Sequence, residues 1–137
     1  MPAPTEVSVG KTFGPHVIKS VDPQRMKTVA ALLDDPVPIH FDIEAVEALG
    51  LGNRLVNQGP MNVAYLLEMI SRFAGGHDRI RTFEVRLLGS VYDGDRVTCT
   101  GRVSAVDSAA STASLEAEAT VGSTPVLAAS ALIDLVP

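Results

Sequence analysis

An aspartate and a histidine five residues apart stand in a segment that two prolines stiffen. Asp35 precedes Pro36, and His40 follows Pro38 by two residues. Proline fixes its own φ and disfavours helix for the residue before it, so both side chains are expected on a rigid loop. A carboxylate and an imidazole can act on one water, one accepting its proton while the other orients it or donates to product. The same residues also occur as ordinary loop residues that end a helix or cap a loop, so the spacing alone leaves both interpretations open.

Three helices are predicted around and after this segment. One runs from Asp22-Pro23 through Leu33, and a second covers Ile43 to Leu49. The third runs from Pro60 to Ala74 and is apolar on almost every side, which is typical of a buried helix. The glycines at 75 and 76 mark its end. Its narrow polar stripe consists of Asn62, Tyr65, Glu68 and Arg72.

Four segments in the second half alternate apolar and polar residues with the period of half-buried strands. They cover residues 81–91, 97–105, 113–121 and 126–136. The turn Asp93-Gly94-Asp95 lies between the first two, which are therefore predicted to form a hairpin. The fourth segment is small or apolar on both faces, which predicts a central strand. One more strand is expected within residues 6–20.

Strands of about ten residues twist and curl, and the apolar helix is what they can enclose. The pattern predicts an α+β hotdog fold, a long antiparallel β-sheet wrapped around a buried central α-helix. A small α+β sandwich is the alternative. One sheet over one helix leaves an edge and apolar strand surface only partly covered, so we expect a dimer.

The length, charge and composition of the chain exclude several classes of function. With 137 residues, 46% of them hydrophobic, the chain is expected to form one domain over residues 1–137. A net charge of −5 without a basic block argues against nucleic acid as a partner. No apolar run is long enough for a bilayer, so no membrane association and a cytoplasmic location are expected. Cys99 is the one cysteine, which excludes an internal disulfide and a multi-thiolate metal site, and we expect it to be a core residue.

The segment Asp35-Pro36-Val37-Pro38-Ile39-His40-Phe41-Asp42 resembles the D-x-N-P-[LIV]-H-x-D motif of the MaoC-like (R)-specific enoyl-CoA hydratases and hydroxyacyl-thioester dehydratases. Two weaker matches stand at similar distances in that family. They are the apolar element Leu55–Gly59 before the buried helix and the Asp93-Gly94-Asp95 turn. The similarity covers roughly residues 20–106 and implies the hotdog fold that the periodicity also predicts.

The resemblance implies a role for each matching residue. Asp35 and His40 would be the catalytic pair, acting on water and on the α-carbon proton of a 2-enoyl or 3-hydroxyacyl thioester. The backbone N–H of Gly59 would polarise the thioester carbonyl, as a preorganised amide at a helix N-terminus can. Without the resemblance, Gly59 is more simply a helix cap. The residues expected to line an acyl tunnel are Val37, Gln58 and Met61.

Two positions depart from the family pattern. Val37 replaces the usual Asn and has no side-chain hydrogen bond to give, so activity is expected to be weakened or supported differently. Gln58 stands where the family often has His.

The leading hypothesis is a hydro-lyase on acyl-CoA or acyl carrier protein thioesters that needs no metal or cofactor. The alternatives are a non-catalytic or weakly catalytic subunit of a heterodimeric hotdog dehydratase, and a hotdog thioesterase with its acid on the central helix, for which Glu68 is the one candidate. A homodimer is preferred, and Val37 keeps the heterodimer open.

Overall fold

The computed structural model of the protein describes residues 7–135. Within them, three α-helices and two 3-10 turns lie among five β-strands. The helices are α1 (Pro23–Leu32), α2 (Ile43–Ala48) and α3 (Gly59–Ala74), and the 3-10 turns are Pro38–His40 and His77–Arg79. The strands are β1 (Thr12–Ile18), β2 (Ile80–Leu87), β3 (Val97–Asp107), β4 (Thr112–Val121) and β5 (Thr124–Asp134). The strand expected within residues 6–20 is therefore β1.

All five strands form one antiparallel sheet in the order β1-β3-β4-β5-β2. Helix α3 packs across this sheet, and its Leu66 and Ile70 are completely buried. The predicted α+β architecture, with a long antiparallel sheet and a buried central helix, is confirmed. The predicted central position of β5 is confirmed as well, because β5 pairs with β4 on one side and β2 on the other. Val136, the predicted end of that strand, lies outside the described residues.

The predicted hairpin between residues 81–91 and 97–105 is wrong. Strand β2 pairs with β5, whereas β3 lies between β1 and β4. The N–H groups of Leu88 and Gly89 both point at the carbonyl oxygen of Val126, at 2.8 and 3.3 Å, where β2 leaves the ladder. Residues 91–95 then bind residues 54–57 instead of closing a hairpin. The turn at Asp93-Gly94-Asp95 was thus predicted correctly, but the segment that it binds, residues 54–57, is distant in sequence.

Polar residues and glycine end the helices as the sequence indicates. Oδ1 of Asp22 accepts a hydrogen bond of 2.9 Å from Gln24 N at the start of α1. Gly75 ends α3 at φ +92°, a left-handed conformation that favours glycine. Helix α3 begins one residue before the predicted start, at Gly59.

Cys99 lies in β3 and is completely buried. Burial raises the pKa of its thiol to about 12, because a thiolate would lose its hydration there. The thiol therefore stays protonated near neutral pH, and its position agrees with the expected core role.

None of the helices within residues 7–135 has both the length and the apolarity that a bilayer span needs.

Gly101 of β3 provides the space in which an aromatic pair holds α3 against the sheet. It is the cross-strand partner of Phe13, and a Cβ at Gly101 would overlap the Phe13 ring. That ring stacks on Phe73 of α3, with centroids 4.2 Å apart and an interplanar angle of 13°. Any side chain at position 101 must therefore displace Phe13 from Phe73.

We expect Gly101→Ala to lower the free energy of unfolding by about 1–3 kcal/mol, since overpacking forces buried rings out of place. Urea denaturation measures the effect. Thr100→Val, on the exposed neighbouring position of the same strand, is the control and should stay within about 0.5 kcal/mol of wild type. Equal stability of Gly101→Ala and wild type would mean that Phe13 moves freely, which would contradict its role.

Candidate active site

The imidazole of His40 is held in one orientation by a backbone carbonyl. His40 ends the 3-10 turn Pro38–His40, and only 8% of the residue is exposed. Its Nδ1 lies 2.6 Å from the carbonyl oxygen of Val56. Because a carbonyl oxygen only accepts, Nδ1 is assigned the proton, and Nε2 of the neutral ring keeps its lone pair.

The carboxylate of Asp35 is fixed from its own loop. After helix α1, Asp34 adopts a left-handed backbone conformation, with φ +50°. The backbone N–H of Asp35 donates a hydrogen bond to the carbonyl of Ala30 at 2.9 Å. Oδ1 of Asp35 accepts from the backbone N–H of Val37 at 3.1 Å. The other oxygen, Oδ2, lies 3.5 Å from Nε2 of His40. The predicted pair is thus brought together, with Asp35 the more exposed member at 24% of its side chain.

Two acceptors that face each other can share one water. The water donates one O–H to the Asp35 carboxylate and the other to Nε2 of His40, which leaves its oxygen lone pairs free for an electrophile. Partial burial excludes bulk water and strengthens these contacts. The arrangement can therefore activate a water for addition to a polarised double bond, or accept a proton in the reverse direction.

Gly59 lies three residues beyond Val56, as the first residue of α3. Its N-cap, Gln58, makes no side-chain hydrogen bond to the helix, and Pro60 has no N–H to offer. Among the described residues, the N–H of Gly59 makes no backbone hydrogen bond outside its own helix, so it is available as a donor at the positive end of the helix dipole. The side chain of Leu87 approaches to 3.5 Å of the place a Cβ would take on Gly59.

The three residues expected to line a tunnel differ in their surroundings. Val37 is 44% exposed on the loop between Asp35 and His40. Met61 is partly buried and packs against the core. Gln58 is completely buried, and its Nε2 donates to the carbonyl of Met26 at 2.7 Å, so it ties α1 to the start of α3, while its Oε1 has no partner. A tunnel role stays a prediction for all three.

Half of the polar stripe predicted on α3 is buried. Nδ2 of Asn57 donates to Oδ1 of Asn62 at 2.8 Å and to the hydroxyl of Tyr65 at 3.1 Å. Burial raises the pKa of the Tyr65 hydroxyl. Sequence reasoning missed this network because the stripe has the spacing of a solvated face. A signal that could have found it is Asn57, a polar residue inside the otherwise apolar start of the Leu55–Gly59 element.

Glu68, the acid on the central helix, is bound to basic groups. Its carboxylate lies 3.2 Å from His16 Nε2 and 2.6 Å from Arg72 Nη2. Within residues 7–135, no group of three or more His, Cys, Asp or Glu side chains is placed to hold a metal ion. A groove of about 960 Å³ crosses the sheet between Thr12 and Ser130, away from Asp35 and His40.

Neither a protein-family model nor a curated protein sequence matches the chain. Solved structures do match. A MaoC-like dehydratase superposes with a TM-score of 0.92 at 18% identity, over 98% of this chain and 42% of its own. The (R)-hydratase from A. caviae involved in PHA biosynthesis gives 0.84 at 18% identity, over 95% and 98% of the two chains.

The ChsH1-ChsH2 complex from Mycobacterium tuberculosis gives a TM-score of 0.82 at 19% identity, over 94% of this chain and 98% of that one. The chain thus spans less than half of the MaoC-like dehydratase and nearly all of the matched chain in the two other structures. The chain has the hotdog fold of the MaoC-like dehydratases and (R)-hydratases.

Proposed function

We propose that the protein is an (R)-specific hydro-lyase that adds water to 2-enoyl thioesters, or removes it from 3-hydroxyacyl thioesters, of coenzyme A or acyl carrier protein. The observation that carries this proposal is the approach of Asp35 Oδ2 to His40 Nε2 at 3.5 Å, with the histidine proton held on Nδ1 by Val56. The motif resemblance and the structural neighbours named as hydratases support it.

In the proposed hydration, the water oxygen forms a bond to C3 while one water proton passes to the Asp35–His40 pair. The electrons of the C2–C3 double bond move toward the thioester carbonyl, whose oxygen gains charge. The proton is then delivered to C2, so the pair returns to its starting state and the atoms balance. Dehydration follows the same steps in reverse.

The Gly59 amide would stabilise the charge on the carbonyl oxygen. A backbone N–H at the start of a 16-residue helix combines a fixed donor with the positive end of the helix dipole. Because loop and helix are both anchored, one face of the double bond would meet the water, which supports a single product configuration.

The two alternatives have less support. A thioesterase would need a free carboxylate on α3, whereas the Glu68 carboxylate accepts a hydrogen bond from Arg72 Nη2 at 2.6 Å. The argument for a non-catalytic subunit was the missing Asn side chain at Val37. The backbone N–H of Val37 binds the Asp35 carboxylate in the described structure, so Asp35 is oriented without that side chain.

We expect Asp35→Asn and His40→Ala each to lower kcat for hydration of a 2-enoyl-CoA by about 10²–10⁴-fold, because each removes one of the two groups that act on the water. Loss of enoyl absorbance gives the rate, and coupling to an (R)-specific or an (S)-specific dehydrogenase gives the configuration, expected to be R.

Asp34→Asn is the control for the first variant, because Asp34 is exposed and asparagine tolerates its positive φ. His77→Ala is the control for the second. Near-wild-type turnover in either active-site variant, or an (S) product from the wild type, would contradict the proposal.

Val37→Pro tests how Asp35 is oriented. Val37 has φ −67° and ψ 114°, which proline adopts, so the substitution deletes the N–H donor with little change in the backbone. We expect kcat to fall roughly tenfold with KM almost unchanged, since only the geometry of a reacting group is lost. Val37→Ala keeps the donor and should behave like wild type. Equal kcat values for the two variants would show that this hydrogen bond does not matter.

We propose a homodimer as the working assembly. Strand β2 is an edge of the sheet, and Leu87 and Leu88 at its end are 60% and 52% exposed, which leaves apolar surface for a second copy. Light scattering at micromolar concentration should give about twice 14.4 kDa. A monomer mass that doubles only when a second hotdog subunit is added would favour the heterodimer instead.

A further inference from the structure

Residues 55–57 form a short extended segment that is shared between the catalytic loop and a distant turn. Val56 makes an antiparallel bridge with Tyr92. On the side of that turn, Asn57 N donates to Val91 O at 2.7 Å, and Asp93 N donates to Leu55 O at 2.9 Å. On the opposite side, Val56 N donates to Ile39 O at 2.9 Å, and Val56 O accepts from His40 Nδ1. In an extended chain, the backbone groups of successive residues point to opposite sides. The backbone groups of Val56 therefore bind the catalytic loop, and those of Leu55 and Asn57 bind the turn.

The pairing with the turn has one substituted hydrogen bond. In an ordinary antiparallel pair, Leu55 N would bind the backbone carbonyl of residue 93. Here it binds Oδ2 of the Asp93 side chain at 2.9 Å, and the Asp93 carbonyl accepts from Arg54 Nη1 at 3.0 Å. A carboxylate acceptor makes a stronger hydrogen bond than a carbonyl.

Asp95 adds further hydrogen bonds between residue 54 and the turn. Its two oxygens accept from Arg54 Nη1 at 2.8 Å and from Tyr92 N at 2.9 Å, and the Arg54 guanidinium lies 5.0 Å from the centre of the Tyr92 ring. Hydrogen bonding to Asp95 raises the pKa of Arg54, so the guanidinium stays charged. The turn is also tied to the loop before α1, because Gly94 N donates to Val21 O at 2.8 Å.

We propose that Asp93 is a positioning residue for His40: its carboxylate fixes the 55–57 segment, and the Val56 carbonyl of that segment fixes the proton on Nδ1 and the direction of Nε2. The catalytic consequence rests on the proposed function, whereas the effect on the imidazole does not. Without the carboxylate, Leu55 N loses its partner in this pairing. The segment can then shift, and a shift of about 1 Å at a reacting group can cost up to 10²-fold in rate.

The experiment compares Asp93→Ala with Asp93→Asn. Histidine ¹⁵N NMR measures which ring nitrogen carries the proton, with His40→Ala used to assign the signal. Wild type should show His40 protonated on Nδ1. In Asp93→Ala we expect a mixture of both tautomers and a kcat for enoyl-CoA hydration roughly tenfold lower, with KM changed less than about twofold. Asp93→Asn retains an acceptor oxygen for Leu55 N and should restore both readouts.

Asp107→Ala is the matched control, because Oδ1 of Asp107 accepts from Ala110 N at 3.0 Å in the turn after β3, far along the chain from the catalytic loop. It should change neither the His40 signal nor kcat. Should Asp93→Ala fail to fold, Asp93→Ser replaces it, because the serine hydroxyl is one bond shorter than the carboxylate and leaves Leu55 N without its acceptor; both readouts should shift in the same direction by a smaller factor.

An unaltered His40 tautomer in the folded Asp93→Ala variant would overturn the inference, as would an unaltered one in Asp93→Ser if Asp93→Ala does not fold. A changed tautomer in a protein that hydrates no thioester would uphold the role of Asp93 and overturn the proposed function. A changed tautomer with unchanged kcat would overturn the catalytic part of the inference alone.

Discussion

The hydrogen bond between Nδ1 of His40 and the carbonyl of Val56 is the interaction on which the site depends. It decides which ring nitrogen carries the proton, and it joins atoms 2.6 Å apart at a residue whose backbone neighbours on both sides are hydrogen-bonded. A histidine on a loop could otherwise sample both tautomers and several rotamers. Here an extended segment between loop and turn restricts that freedom, so the orientation of His40 depends on the long-range pairing of residues 55–57 with 91–93.

The sheet and α3 provide the rigid body to which this pairing is attached. The core between them includes alanine and glycine in β3 to β5, which allows the helix to approach, and Phe13 fills the space over Gly101. The helix then presents Gly59 at its start, three residues from Val56.

Much of the fold follows from local pattern, and much of the site does not. The strands alternate with period two, Asp22 caps the start of α1 and Gly75 ends α3, so these elements were predictable. The hairpin was predicted wrongly because a turn signal does not say which segment pairs with it. Asn62 and Tyr65 were predicted only as members of a polar stripe, because periodicity cannot show a buried polar partner. Val37 was judged by its side chain, whereas its backbone N–H makes the contact with Asp35.

The strand order also determines at what point of synthesis the sheet can be completed. Strand β2 precedes β3 and β4 in the chain but pairs with β5, the last of the five strands. During synthesis, β2 therefore leaves the ribosome well before its partner strand exists and must wait with its backbone hydrogen-bonding groups unpaired on that side. Without β5, strand β2 would lose all of its backbone pairing in the sheet, and β4 would lose one of its two neighbouring strands. Strand β5 is thus the element that completes the sheet during synthesis. A chain truncated before β5 would expose unpaired strand edges and be prone to aggregate.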